Sequence, residues 1–241
     1  MESTALPIVP QVSDDLLELY ALQILKLQEE DSPIQKILHE IEKVAADEKV
    51  AIIGALEGKI LTGLIKTKYP RPLKVLDIGT AIGYSAIWLA RVIGKGGHIT
   101  SIEIDPIRAE IAREYVKRAG VQEQVTIITG DVFELVNHAK ELTNEVFDVI
   151  FQDVMKHVYF AKDPGLALQL LEISIKHLAG GGYLFTDNAF CQGKVMEKSE
   201  YNQVKGIQAY NEAIARHPEL DSLLFPFRDG LWFSKRIEAV N

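Results

Sequence analysis

Two acids and an amide are the residues in this chain best placed by type and spacing to do chemistry. Asp153 ends the apolar run Val149-Ile150-Phe151-Gln152, and Asp187-Asn188 ends the run Tyr183-Leu184-Phe185-Thr186, 34 positions further on. That interval holds a crossover helix between neighbouring parallel strands, which would bring all three side chains to one rim. Two carboxylates and an amide oxygen, with no histidine or thiolate among them, form a hard oxygen site suited to magnesium, manganese or calcium and not to zinc. The spacing leaves a plainer reading open, in which Asp153 caps the next segment and Asp187-Asn188 makes a turn.

A second constellation lies upstream. Lys74-Val75-Leu76-Asp77-Ile78 is an apolar run that stops at Gly79 and restarts as a helical pattern after Gly83. It reads as a buried parallel strand, a glycine turn and a helix whose N-terminus points at the turn. Without a Cβ, Gly79 and Gly83 would let the backbone lie against a ligand. His98-Ile99-Thr100-Ser101-Ile102-Glu103 is a second β-branched run, and Glu103 follows Gly83 by about the 20 residues expected of a ribose-binding carboxylate. Ala81 and Tyr84 stand where a dinucleotide fingerprint has glycine, so a nucleoside without a pyrophosphate fits better than NAD. Gly130-Asp131 ends a third run and places Asp131 on the same rim, within reach of a base amino group. A purely structural βα turn is the alternative.

The elements that must position these residues follow from hydrophobic periodicity. After the first strand, helical and strand patterns alternate: Ser85 to Ile93 helix, His98 to Glu103 strand, Ile107 to Ala119 helix, Val125 to Thr129 strand, Phe133 to Leu142 helix, Phe147 to Phe151 strand, Leu166 to His177 helix, Tyr183 to Thr186 strand. Such alternation predicts an α/β fold, a doubly wound and mainly parallel sheet with helices on both faces. After a helix from Val204 to His217, Leu223-Leu224-Phe225 and Leu231-Trp232-Phe233-Ser234 flank Pro226-Phe227-Arg228-Asp229-Gly230, the signature of an antiparallel hairpin closing one edge. Upstream, Ser13 would cap a helix carrying Leu16, Leu17, Tyr20, Ile24 and Leu27, and Ser32-Pro33 would open another carrying Ile34, Ile37, Leu38, Ile41 and Val44. These two either pack against the sheet, or cover the substrate mouth or build a dimer contact. A third helical pattern, from Glu57 to Lys66, is broken by Pro70 and Pro72.

Composition bounds the rest. With 241 residues, 47% of them hydrophobic, one domain is expected, residues 1–50 forming a helical cap and 51–241 the core. A net charge of −8 argues against a broad nucleic-acid surface and against an anionic membrane partner. No apolar run approaches a membrane span, the N-terminus lacks a secretion signal, and Cys191 is the only cysteine, so a cytoplasmic protein is expected.

Taken in order, several stretches resemble one family. They are Val75 to Ser85, Ser101-Ile102-Glu103-Ile104-Asp105-Pro106, Gly130-Asp131, Asp153-Val154-Met155-Lys156-His157-Val158-Tyr159, Asp187-Asn188-Ala189-Phe190-Cys191-Gln192-Gly193-Lys194-Val195 and Asp229-Gly230-Leu231. The set resembles the metal-dependent class I O-methyltransferases that use S-adenosylmethionine (SAM), the catechol and caffeoyl-CoA O-methyltransferase group, over about residues 50 to 236. The resemblance implies a seven-stranded Rossmann-like sheet with a C-terminal antiparallel hairpin. It also implies SAM contacts at Asp77, Gly79, Gly83, Ser85, Glu103, Asp131 and Asp153, and ligation of a divalent cation by Asp153, Asp187 and Asn188. Lys156 and Asp153 are the catalytic residues it implies, and a homodimer is expected.

The chemistry agrees with that assignment. A phenol with a pKa near 10 is mostly protonated at neutral pH, and a divalent cation holding its oxygen stabilises the phenolate that attacks the sulfonium methyl. Lys156 accepts the proton if desolvation and the nearby cation lower its pKa. Many members read Asp-Ala-Asp-Lys where this chain reads Asp153-Val154-Met155-Lys156, and the catechol enzymes also lack the second acid. The expected acceptor is therefore a small catechol-like or other hydroxylated aromatic and not a caffeoyl-CoA ester. Cys191 reads as a packed residue or pocket wall and His157 as a rim residue. Two rival readings are methylation of a hydroxylated uridine in tRNA and a non-catalytic SAM-binding protein.

Overall fold

The structure is a computed structural model and describes residues 14–26, 31–68, 71–154, 160 and 162–238. Ser13, Leu27, Pro70, Met155, Lys156, His157, Val158 and Tyr159 lie outside the described residues.

Seven strands form one sheet: β1 (Lys74–Ile78), β2 (His98–Glu103), β3 (Val125–Thr129), β4 (Phe147–Gln152), β5 (Leu178–Thr186), β6 (Leu220–Phe225) and β7 (Leu231–Arg236). Their order is β3-β2-β1-β4-β5-β7-β6. The first five are parallel, and β7 runs antiparallel to both β5 and β6. Eight α-helices are described: α1 (Asp14–Ile24), α2 (Pro33–Glu48), α3 (Ala55–Ile65), α4 (Tyr84–Ala90), α5 (Pro106–Arg118), α6 (Val132–His138), α7 (Gly165–His177) and α8 (Asn202–Arg216).

The inner parallel strands β1, β2, β4 and β5 are buried on both faces, so their two side-chain sets feed two cores, while the edge strand β3 buries only Val125 and Ile127. Val75, Ile99, Val149 and Phe151 pack with α2, α3, α4 and α5 on one face. Leu76, Ile78, Ile102, Ile150 and Leu184 pack with α6, α7 and α8 on the other. The order reverses between β1 and β4, and at such a switch point the loops leave in opposite directions and open a crevice at the carboxyl ends of the strands.

The cap read at Ser32 is present, and Asp105 adds a second. Ser32 caps α2 by accepting from the Gln35 N–H at 3.1 Å, with Pro33 in the first turn. Asp105 caps α5, accepting from the N–H groups of Ile107 and Arg108. Other boundaries moved. α4 stops at Ala90 and not Ile93, because Arg91 and Val92 tighten into three-residue-back bonds to Trp88 and Leu89 before Gly94. α6 stops at His138, and Leu142 is buried from a turn. β5 starts at Leu178 and not Tyr183; a shift in its register against β4, with Gly181 at φ 68°, carries the glycine stretch into the sheet.

The two N-terminal helices differ. α2 buries Leu38, Ile41 and Ala45 in the main core. On α1 the apolar stripe of Leu16, Leu17, Tyr20 and Ile24 is more than half exposed at every position, and the half-buried positions are Glu18, Ala21 and Leu22. Packing of this helix against the sheet is therefore not what the fold shows.

Candidate active site

Two neighbouring cavities open at the carboxyl ends of β1, β2, β4 and β5. The larger, about 230 Å³, is walled by Ile78 and Gly79 after β1, by Glu103 and Arg108 beside β2, by Gly130 and Val132, and by Asp153 and Val154 after β4. The smaller, about 60 Å³, lies between Ile52, Glu57, Asp187, Asn188, Arg228 and Asp229. Ala51 and Asp153 border both.

Glu103 is buried and held by two backbone donors, the Ala81 N–H on Oε2 at 2.8 Å and the Asp105 N–H on Oε1 at 2.9 Å. Each of its oxygens keeps a second lone pair for a ligand hydroxyl. Asp77 faces away from the cavity. It is fully buried, and its Oδ2 accepts from Ser101 at 2.7 Å and Ser85 at 3.0 Å, while its Oδ1 has no hydrogen bond within 3.5 Å among the described residues. Burial pushes its carboxyl up to about 6, against the hydroxyls of Ser101, Thr80 and Ser85, which favour the charged form. Asp131 caps α6, accepting from the Phe133 N–H at 2.9 Å, and does not border the cavity.

The glycines serve packing more than the sequence suggests. At Gly79, φ 95°, a Cβ would sit 2.5 Å from the Asp153 carbonyl oxygen, so this glycine lets the ends of β1 and β4 close together. At Gly83, φ 92°, the space a Cβ would take is bordered by Ala112 of α5, which is a helix contact. Gly79 still lines the larger cavity, whereas Gly83 and Ser85 stand behind it.

At the smaller cavity the chain brings Asp153, Asp187 and Asn188 together, as their spacing predicts. Asp187 and Asn188 are buried. The Asp187 carboxylate takes the Asn188 backbone N–H at 2.6 Å on Oδ1 and the Asn188 Nδ2 at 2.8 Å on Oδ2. Asn188 has φ 64°, a left-handed conformation that asparagine adopts more readily than most residues. The loop after it is zipped to the β6–β7 turn: Ala189 N–H to the Gly230 carbonyl at 3.0 Å, Phe190 N–H to the Asp229 carbonyl at 2.8 Å, and Gln192 N–H to Asp229 Oδ1 at 2.5 Å.

Sequence reasoning passed over Glu57 and Arg228. Arg228 Nη1 lies 3.4 Å from Glu57 Oε2 and its Nε 3.9 Å from Glu18 Oε2, so the hairpin turn, α3 and α1 meet at the cavity mouth. Glu57 reads as an ordinary first-turn acid of a helix. The signal for Arg228 is its place before Asp229-Gly230 in a turn, where its φ is 49°. Cys191, also left-handed at φ 49°, is buried, as a packed residue would be.

A cavity at the switch point of a seven-stranded sheet with a reversed final pair defines the Rossmann-like methyltransferase class, and solved structures agree. An O-methyltransferase from Bacillus cereus in complex with SAH superposes with a TM-score of 0.77 at 26% identity, covering 92% of this chain and 97% of that one. The chain belongs to the O-methyltransferase family, whose sequence profile matches residues 28–237. It is 30% identical over 151 residues to a catechol O-methyltransferase of Niastella koreensis, a match covering 62% of this chain and 65% of that enzyme. It is 26% identical over 210 residues to a caffeoyl-CoA O-methyltransferase of Stellaria longipes, covering 83% of each. Among the described residues no helix is long and apolar enough to cross a membrane.

Proposed function

We propose that this protein uses SAM to methylate one hydroxyl of a small catechol-like aromatic, with a divalent cation held by Asp153, Asp187 and Asn188. One observation supports the reading above others: Asp153 and Ala51 border both cavities, so a methyl donor in the larger and an acceptor in the smaller would meet at a shared wall. Catechol O-methyltransferases among the relatives support the acceptor class.

In the larger cavity Glu103 accepts the ribose hydroxyls, and Gly79 and Asp153 border the cofactor. Asp77 and Ser85 act from behind, fixing the β1 turn through their hydrogen bond. Asp131 shapes the entry to α6 beside the base.

The donor set fits a hard cation. Among the described residues no three acids, histidines or cysteines gather for a metal; the rim offers two carboxylates and an amide, the oxygen chemistry of magnesium, manganese or calcium. With its nitrogen turned to Asp187, Asn188 has its oxygen left for a cation. When bound, a divalent cation stabilises a phenolate at neutral pH and orients two adjacent oxygens. Lys156, three residues after Asp153, is the base that takes the phenol proton. The exposed face of α1 supports a homodimer, since a contiguous apolar surface of this kind marks a contact site.

The test incubates purified protein, magnesium and labelled SAM with a catechol panel, and separately with bulk tRNA from a strain that makes the hydroxyuridine but lacks its O-methylation. Transfer to catechols, lost on chelation and nearly absent with mono-hydroxy analogues, is the expected result. Full activity in chelator, or efficient transfer to RNA alone, would overturn the proposal.

A further inference from the structure

Helix α8 runs behind the rim, and two consecutive residues on it reach the strand ends that carry the rim side chains. Tyr210 is fully buried. Its hydroxyl lies 2.8 Å from Gln152 Oε1 and 2.8 Å from Thr186 Oγ1, while Thr186 Oγ1 and Gln152 Oε1 are 3.1 Å apart. Two hydroxyl protons fill two of these three contacts, and the two shorter ones are satisfied together when Thr186 donates to Tyr210 and Tyr210 donates to Gln152. Gln152 Nε2 donates in turn to Ser174 on α7. Burial pushes the Tyr210 phenol above its usual range, which keeps the proton in place.

The neighbouring residue does the same for the third rim side chain. Asn211 Nδ2 donates to the Ala189 carbonyl at 2.7 Å, and Asn211 Oδ1 accepts from Trp232 Nε1 of β7 at 2.8 Å. With the Ala189 N–H already bonded to Gly230, both ends of Ala189 are held.

The contacts to β4, β5 and the loop after β5 each fall one residue from a rim side chain: Gln152 precedes Asp153, Thr186 precedes Asp187, and Ala189 follows Asn188. Gln152 and Thr186 are partners across β4 and β5, so their side chains share the α8 face. Successive side chains alternate, which turns Asp153 and Asp187 toward the opposite side, where Ile52 and Glu57 line the smaller cavity. We propose that Tyr210 and Asn211 are positioning residues that set the spacing of Asp153 and Asp187 and hold the left-handed turn at Asn188, and thereby set the affinity for the cation. This rests on the cation reading of the preceding section. Side chains that orient ligands from behind typically change metal affinity about 10–100-fold when removed.

The experiment titrates Mn²⁺ by calorimetry into the wild type, Tyr210→Phe, Thr186→Val, Asn211→Ala and Asp153→Asn, with SAM affinity and thermal unfolding measured on each. Tyr210→Phe keeps the ring and removes only the hydroxyl. The expected result is Mn²⁺ binding at least about tenfold weaker in Tyr210→Phe and Asn211→Ala, with SAM affinity within about twofold of wild type. Thr186→Val should reproduce the loss from the other side of the same bond. Folded variants that bind Mn²⁺ as the wild type does overturn the proposal, as does an equal loss of SAM and Mn²⁺ affinity, which would mean general loosening. Wild type that takes up no Mn²⁺, or Asp153→Asn that takes it up undiminished, overturns the cation reading itself.

Discussion

Glu103 is set before a ligand arrives, because two backbone N–H groups fix its carboxylate plane at the end of β2. A pre-oriented acid loses little entropy on binding, and charge-assisted bonds to ribose hydroxyls contribute roughly 1.5–3 kcal/mol each. Glu103→Ala should therefore weaken SAM binding by at least about tenfold in calorimetry, and unchanged affinity would remove Glu103 from the cofactor site. Asp77 has a different signature, in stability and not in binding. Its folded carboxyl titrates near 6 against an ordinary value of 3.8, so the folded state holds a proton that the unfolded chain has already released. Stability from this group is full below about pH 4 and is lost as pH rises through about 6. Relative to Asp77→Asn, the wild type should lose up to about 3 kcal/mol in urea unfolding between about pH 4 and pH 7. A pH-independent difference would show that Asp77 titrates normally. Both acids were visible as residues, but only the fold distinguished them: Glu103 borders the cavity, whereas Asp77 lies behind its wall.

Helix α3 shows how an element can obey a tertiary demand against its own propensity. Gly58 lies within it, although alanine is about 1 kcal/mol better in a helix. A Cβ there would meet the Trp88 ring at 2.5 Å, so glycine is what lets α3 lie against α4. Gly58→Ala should destabilise the protein by about 1–3 kcal/mol in denaturant unfolding despite its better propensity; a stabilised variant would show that Trp88 moves freely. The same pressure explains Gly79 and Gly83, whose spacing looked ligand-driven and whose missing Cβ atoms make room for Asp153 and Ala112. The Ser32 cap was legible because it is local, satisfying a donor three residues away. The start of β5 was not, because a glycine run has no β propensity and joins the sheet only through its pairing with β4.

At the scale of the whole molecule, α1 leaves Leu16, Leu17, Tyr20 and Ile24 facing outward while Glu18 ties it to Arg228. If that face is a contact between copies, the wild type sediments as a dimer and a Leu17→Glu, Tyr20→Glu double variant as a folded monomer. A wild-type monomer would dispose of the dimer. Periodicity could not decide whether this stripe packs inward or outward, since an amphipathic pattern states that a helix has an apolar face and not what covers it. The sequence by itself determined the alternation of strands and helices, the reversed final hairpin, and the convergence of Asp153, Asp187 and Asn188, because parallel strands joined by crossover helices must all present their carboxyl ends to one side. Only the tertiary structure decided that two cavities share a wall at Asp153, that Glu57 and Arg228 meet there from elements far apart in the chain, and that Tyr210 and Asn211 stand behind the rim. Those relations depend on how helices lie across the sheet, which follows from side-chain volume and pairing at long range and leaves no period in the sequence.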